Sequence, residues 1–254
     1  VEFFEFRGGE ELKVKWRKKG GADLWLSERR EKKEVSIPIV PSPEEAVIYR
    51  NFIEGSSARG IGVGFFELGN YVFSADDLSL DLVWRGKFMD GGRHWVNRGQ
   101  GFQAPAGEDV TALNRGPAFA RLADEKSPWP ESWQADLQAR FRGYELDDKG
   151  RPEFLYEVGG RAVRDCILPA GESAGMKRVV SIEQGSAMEP LVMRLLSGAS
   201  SLDPADGGDF VVAGKLRLSV KHPGAELRQR GRELLLWLPA GEDLRVEIDY
   251  QWIQ

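Results

Sequence analysis

The chain has 254 residues, a formal net charge of −5, 41% hydrophobic residues and 30% charged residues. These values describe a folded globular protein and exclude a disordered chain. The acidic balance excludes a general nucleic-acid binder, because neutralising phosphates requires an excess of cationic side chains. No run of about 18 apolar residues occurs, so we expect that the chain does not itself span a membrane.

Cysteine and histidine are too scarce for the common metal and haem sites. Cys166 is the single cysteine and there are two histidines, which excludes an intramolecular disulfide and almost excludes a structural zinc site. No C-x-x-C-H motif occurs, so no haem is bound covalently. The chain begins at Val1 without a signal-peptide pattern, and we interpret it as a processed or excised chain, which leaves open that an export signal has been removed.

The dominant sequence period is two, which is typical of strands with one solvated face. It first appears at residues 12–17, and a charged run at 28–34 predicts a solvated hairpin tip. Leucines alternate with polar residues at 78–84. The same rhythm continues at residues 141–146, 154–158, 180–182, 191–196, 216–221, 234–238 and 244–252. Several of these runs are joined by short turns, which predicts antiparallel hairpins.

Two segments interrupt this rhythm. Residues 99–134 are rich in Gly, Pro and Trp, and we expect a long ordered loop that is functional or covers a sheet edge. Residues 132–139 are the best candidate for a short helix, with Ser132 as its N-cap. Helix–strand alternation is absent, which argues against a doubly wound fold. The prediction is an all-β fold with little helix, a large antiparallel β-sandwich of the super-sandwich type.

The glycine-rich run ARGIGVGFF at residues 58–66 superficially suggests a phosphate-binding loop. Its glycines follow G-x-G-x-G rather than G-x-G-x-x-G, and no lysine stands where a P-loop needs one. We therefore interpret it as a glycine-bearing strand that another backbone or a bulky ring approaches closely.

Residues 85–101 gather an aspartate, a histidine, a tryptophan and several arginines in a glycine-rich segment. Arginine recognises carboxylates through paired hydrogen bonds and tryptophan can stack on a ring, so an anion or a sugar acid is the ligand class. His94 beside Asp90 is a candidate general base. The alternative is an ion network that pins the loop. The predicted binding residues are Arg59, Arg85, Asp90, Arg93, His94, Trp95, Arg98 and Gln100. No catalytic residue and no metal ligand is assigned.

Other site chemistries rest on weaker patterns. Non-covalent haem ligation would use His94, His222 or a methionine, and the loop DPADGGD at 203–209 has the composition of a calcium loop without the EF-hand spacing. Glycoside hydrolysis stays open, because spacing along strands does not say which carboxylates face each other among Glu54, Glu67, Asp76, Asp77 and Asp90. Cys166 lies in an apolar strand and is interpreted as a buried small residue.

A family resemblance is carried by six segments: IYRNFIEG, ARGIGVGF, LVWRGKFMDGGRHWVNRGQGFQAPAGEDV, GPAFARL, SPWP and FRGYELDDKGRPEFLY. Over about residues 47–158 the chain resembles the β-rich domain that accompanies c-type cytochrome modules in large periplasmic and membrane-bound dehydrogenase-like proteins of planctomycetes and verrucomicrobia. The haem module itself is absent here. The resemblance implies export and an electron-transfer setting, but no catalytic residue.

We predict one β-sandwich domain over residues 1–254, with subdivisions at 1–46, 47–158 and 159–254. The expected function is that of a non-enzymatic accessory or structural subunit of a respiratory or photosynthetic electron-transfer complex. It would be periplasmic or extracytoplasmic and attached to the membrane through its partner subunits. One such partner is expected to be a c-type cytochrome that holds any haem. The alternative is a carbohydrate-binding or carbohydrate-active sandwich.

Overall fold

The computed structural model describes residues 35–96, 101–170, 175–185 and 190–253, together with the short strands β1 (Val14–Lys15) and β2 (Trp25–Leu26). The chain divides into two compact units, Val1–Val35 and Ser36–Gln254. In the first unit, β1 pairs antiparallel with β2. No helix in the described part of the chain is long and apolar enough to cross a membrane.

The second unit is formed by antiparallel sheets, which confirms the predicted all-β, sandwich-like class. A five-stranded sheet has the order β4 (Val47–Tyr49), β5 (Gly60–Gly64), β6 (Gly69–Ser74), β7 (Ser79–Arg85) and β9 (Glu108–Ala112). An eight-stranded sheet has the order β11 (Arg140–Leu146), β12 (Pro152–Val158), β13 (Arg161–Pro169), β14 (Gly175–Ile182), β21 (Leu244–Trp252), β18 (Leu216–Lys221), β17 (Phe210–Val212) and β16 (Leu202–Pro204).

Two smaller sheets complete the unit. One has the order β10 (Phe119–Ala120), β15 (Leu191–Leu196), β20 (Glu233–Leu238) and β19 (Glu226–Arg230), and the other pairs β3 (Pro38–Ile39) with β8 (Met89–Asp90). Helix α1 (Gly92–Trp95) is a single turn, and 3-10 turns occupy Ala135–Leu137 and Asp206–Gly208.

Two local predictions need correction. The expected helix at 132–139 is only the 3-10 turn Ala135–Leu137, whose N-cap position is Gln134 and not Ser132. The expected loop at 99–134 contains the strands β9 and β10 within its described part. Neither strand shows clear apolar alternation, because β9 is an edge strand and β10 is only two residues long. Pairing with longer neighbours, rather than local pattern, makes them strands.

The main hydrophobic core lies between the sheets. Phe73 of β6 stacks on Phe154 of β12 with ring centroids 4.1 Å apart and an interplanar angle of 8°, which joins the five-stranded and eight-stranded sheets. Phe119 of β10 contacts Tyr156 of β12 at 6.0 Å and brings the four-stranded sheet into the same core. Both sheet faces supply large side chains, as a sandwich requires.

The five-stranded sheet is also covered on its other face by a second core, whose buried members are Tyr49, Ile53, Val72, Leu82, Trp84, Phe88 and Met89. The glycines of β5 alternate onto this face. A Cβ atom at Gly62 would lie 2.9 Å from Ile53 Cδ1, and one at Gly64 would lie 2.5 Å from Phe88 Cγ. The predicted close approach to a glycine-bearing strand is confirmed, and the approaching groups are side chains of the second core.

A buried ion pair lies in the main core. Arg178 of β14 donates from Nε and Nη2 to the carboxylate of Asp165 in β13, at 2.9 and 2.6 Å, and both side chains are almost wholly inaccessible. The hydroxyl of Tyr156 donates to the same carboxylate at 3.1 Å. The bidentate hydrogen bonding between the guanidinium and the carboxylate offsets the free-energy cost of removing both charges from water.

Candidate functional site: an aromatic patch around helix α1

The candidate site is built on the turn from β8 into α1, and Asp90 holds this turn together. Its carboxylate accepts hydrogen bonds from Ser36 Oγ at 2.5 Å, from the Ile37 N–H at 2.9 Å and from the Gly92 N–H at 2.7 Å. The bond from Ser36 is the main cause of the lowered pKa of Asp90, and the two backbone donors add to it. Asp90 therefore ties the segment at 36–37 to the start of the helix.

His94 links the helix to two other segments. Its Nδ1 lies 2.6 Å from Tyr49 Oη in β4, and its Nε2 lies 3.0 Å from the carbonyl oxygen of Gly101. A carbonyl can only accept, so Nε2 carries the proton, and in the neutral ring Nδ1 accepts from the tyrosine hydroxyl. Asp90 and His94 each bond to other groups, so the structure does not show the carboxylate–imidazole hydrogen bond that the candidate general base would use.

Aromatic side chains surround this anchored turn. Trp95 packs against the backbone of Gly91, where an added Cβ atom would lie 2.5 Å from the indole ring, yet 55% of Trp95 is exposed. Phe52 and Phe102 are 49% and 50% exposed and make an edge-to-face contact at 5.9 Å. Phe52 also contacts the ring of His94 at 6.4 Å. We call the exposed group Phe52, Trp95, Val96 and Phe102 the aromatic patch.

The backbone under the patch is also fixed. The Gln103 N–H donates to the Phe52 carbonyl at 2.8 Å, and the Glu54 N–H donates to the Gln103 carbonyl at 3.0 Å. A parallel bridge joins Ile53 to Gln103. Since Ile53 is fully buried in the second core, the two segments that carry Phe52 and Phe102 are held side by side over that core.

The structure brings together only part of the predicted set of site residues. Asp90, Arg93, His94 and Trp95 belong to the α1 turn. Arg59 instead contacts Asp76 at the far end of β6, with Nη1 and Oδ1 3.4 Å apart.

Arg85 pairs with Asp109 of the edge strand β9, through Nε and Oδ2 at 2.6 Å. Arg98 and Gln100 lie outside the described residues, so their predicted role stays a prediction. The alternative ion network of Asp90, Arg93 and Arg98 stays a prediction for the same reason, and the donors that the structure shows at Asp90 are Ser36 and two backbone N–H groups.

Phe52, Val96 and Phe102 were not singled out by sequence reasoning. Phe52 and Phe102 belong to no apolar alternation, and an aromatic residue outside such a pattern is the signal that was available. Their contact requires the fold, because the two residues meet only when the chain returns past β4 to pair Gln103 with Ile53.

The described residues contain no group of three or more His, Cys, Asp and Glu side chains placed to hold a metal ion. In the calcium-like loop, Asp209 accepts from Arg217 Nε at 2.6 Å, and Arg217 Nη2 donates to the Asp206 carbonyl at 3.1 Å. The guanidinium of Arg217 thus pairs with two oxygen atoms of this loop. His222 Nδ1 is 3.0 Å from the carbonyl of Ala225, which closes a local turn.

No family model matches the chain, and no curated protein matches it in sequence. The resemblance to the domain that accompanies c-type cytochrome modules therefore stays a prediction.

Proposed function

We propose that the protein is a non-enzymatic accessory subunit that docks on a protein partner through the aromatic patch. The observation that carries the proposal is that Phe52, Trp95, Val96 and Phe102 are each about half exposed around His94, where Phe52 contacts both His94 and Phe102. Single exposed apolar residues are ordinary, whereas contiguous exposed aromatic side chains are typical of interfaces.

The rigidity of the patch supports binding. Asp90 and His94 fix the helix to segments 36–37, 49 and 101, and the bridge at Ile53 fixes the neighbouring strand. A partner that docks there pays little to order the backbone, because the side chains are presented by an already constrained scaffold. The same hydrogen bonds use both ring nitrogens of His94, which favours a positioning role over proton transfer.

The partner class follows from the resemblance at residues 47–158. The partner we propose is a subunit of a periplasmic or membrane-attached electron-transfer complex, respiratory or photosynthetic, and specifically a c-type cytochrome. Any haem would belong to that partner. The guanidinium of Arg93, which belongs to the same helical turn as Trp95, would lie at the rim of such an interface.

The test is native purification from membranes, with co-elution followed by haem absorbance and by mass spectrometry. We expect a haem protein to co-elute with the wild type and to be lost with Phe102→Ser and with Trp95→Ser. Leu146→Ser is the matched control, because Leu146 is 54% exposed on β11 and lies outside the patch. Elution of the wild type alone as a monomer would overturn the proposal.

A sugar array separates this function from the carbohydrate alternative. Binding of a neutral oligosaccharide that disappears with Trp95→Ser, together with the absence of a co-eluting haem protein, would assign the patch to carbohydrate recognition. Retained co-elution in both patch variants would place the interface elsewhere on the protein.

A further inference from the structure

A second surface feature shares no residue with the aromatic patch. A groove of about 340 Å³ lies between the end of β6 and the start of β11. Its principal lining side chains are Arg59, Asp76, Leu78, Trp133, Arg140 and Phe141. Its lining combines two arginines and one aspartate with two aromatic residues and a leucine, and most of its accessible surface is polar.

Arg140 is one of the two arginines that line this groove, and unlike Arg59 it makes no direct ion pair among the described residues. It stands opposite Glu157 in the β11–β12 register. The ladder shifts by one residue between Phe141 and Gly143, and the extra residue, Arg142, donates to Glu157 Oε2 at 2.6 Å. This bond is the main cause of the lowered pKa of Glu157. Among the described residues, the side chain of Arg140 makes no direct hydrogen bond or ion pair, and its charge contributes less than Arg142 does to the lowered pKa of Glu157.

Arg59 is held at the other side of the groove by its backbone. Its N–H donates to Ser57 Oγ at 3.2 Å, and its carbonyl accepts from the Ala75 N–H at 3.2 Å. Its side chain touches Asp76 only through Nη1, at 3.4 Å. A guanidinium has five N–H donors, so most of those on Arg59 stay directed to the groove or to solvent.

The aromatic wall is fixed as well. Trp133 Nε1 donates to the backbone carbonyl of Asp76 at 2.7 Å, which sets the orientation of the indole ring. Phe141 is half-buried and packs on Phe73 at 6.2 Å. The ring surfaces of the groove therefore belong to side chains that the core and a partly buried hydrogen bond hold in place.

We propose that this groove binds a sugar acid, a six-membered ring that carries one carboxylate and several hydroxyl groups. Two guanidinium groups match a planar carboxylate. The carboxylate of Asp76 accepts hydrogen bonds from hydroxyl groups and repels a further anionic oxygen, which favours a uronic acid over phosphate. The volume of about 340 Å³ holds one such ring.

The test is a titration of the ¹⁵N-labelled protein with sodium glucuronate, with glucose and inorganic phosphate as comparison probes. The readout is the indole Nε1–H resonance of Trp133, assigned with Trp133→Phe. We expect saturable binding of glucuronate with a dissociation constant of about 0.1–1 mM, and no saturable binding of glucose. Arg140→Gln and Arg59→Gln should each weaken glucuronate binding by about tenfold or more, since each removes a charged hydrogen-bond pair.

Arg164→Gln is the matched control, because it removes the same charge from the same sheet at an exposed position that pairs with Glu153 and does not line the groove. It should leave the titration unchanged. The proposal is overturned if glucuronate does not bind, if phosphate binds as tightly as glucuronate, or if Arg164→Gln weakens binding as much as Arg140→Gln.

Discussion

Asp81 is a buried carboxyl whose ionisation should make stability depend on pH near neutrality. It lies in β7 and is only 1% exposed. Burial raises its pKa from 3.8 to about 7, and the hydrogen bonds from Ser56 Oγ at 2.6 Å and from Ser79 Oγ offset this only in part. The neighbouring carboxylate of Asp77 raises the pKa further.

The sign follows from proton binding. Between about pH 4 and pH 7, the folded protein keeps the proton on Asp81 while the unfolded chain has lost it. The free energy of unfolding that Asp81 contributes is therefore fully present below the unfolded pKa and is lost as pH rises through 7. The difference between 3.8 and about 7 corresponds to about 4 kcal/mol in total, of which about 2–3 kcal/mol falls between pH 5 and pH 8.

Urea unfolding at about pH 5, 6, 7 and 8 measures this contribution in the wild type and in Asp81→Asn. Asparagine is similar in shape and does not titrate, so the difference between the two proteins cancels the other ionisable groups. We expect this difference to change by about 2–3 kcal/mol over that range, with the wild type losing stability relative to the variant as pH rises. A difference that stays constant within about 0.5 kcal/mol would refute the raised pKa.

Three further predictions concern packing, charge and thiol chemistry. Gly64→Ala should lower the free energy of unfolding in urea by about 1–3 kcal/mol, because its Cβ would overlap the Phe88 ring. Gly198→Ala is the control and should be neutral or stabilising, because its Cβ would have no contact closer than 3.5 Å; equal effects of the two substitutions would contradict the reasoning. Arg178→Met should cost about 3–5 kcal/mol, since it leaves a buried carboxylate unpaired, and a cost below about 1 kcal/mol would show the pair to be dispensable. Cys166 is half-buried and not buried as predicted, and this partial burial raises its pKa to about 11. A disulfide reagent at about pH 8 should therefore modify it about tenfold or more slowly than a free cysteine peptide, and an equal rate would refute the raised pKa.

The strands that sequence predicted well are those whose pattern is local. In β21, residues 244, 246, 248, 250 and 252 are all buried, as the alternation of Leu, Val, Ile, Tyr and Trp with polar residues predicts. In β12 the same alternation separates buried from half-buried positions. Successive side chains of a strand point to opposite faces, so a strand with one solvated face shows a polar–apolar alternation that can be read from the sequence.

The glycines of β5 show where such prediction stops. Their spacing of two residues indicated one crowded strand face, and the structure confirms that face. The identity of the ring above it was not predictable, because Phe88 arrives from beyond β7. A close approach requires small residues on the strand only, and many large side chains that are distant in the sequence fit above them.

Sequence alone determined the all-β class, the strand runs and the concentration of aromatic and polar residues between 51 and 102. Only the tertiary structure decided their partners. Asp90 takes its main donor from Ser36, 54 positions away, and His94 takes Tyr49 rather than the adjacent aspartate. Arg59 leaves the expected site for the groove beside Arg140. Composition and period are local properties of a chain, whereas hydrogen-bond partners depend on which strands pair, and that is settled by burial over the whole fold.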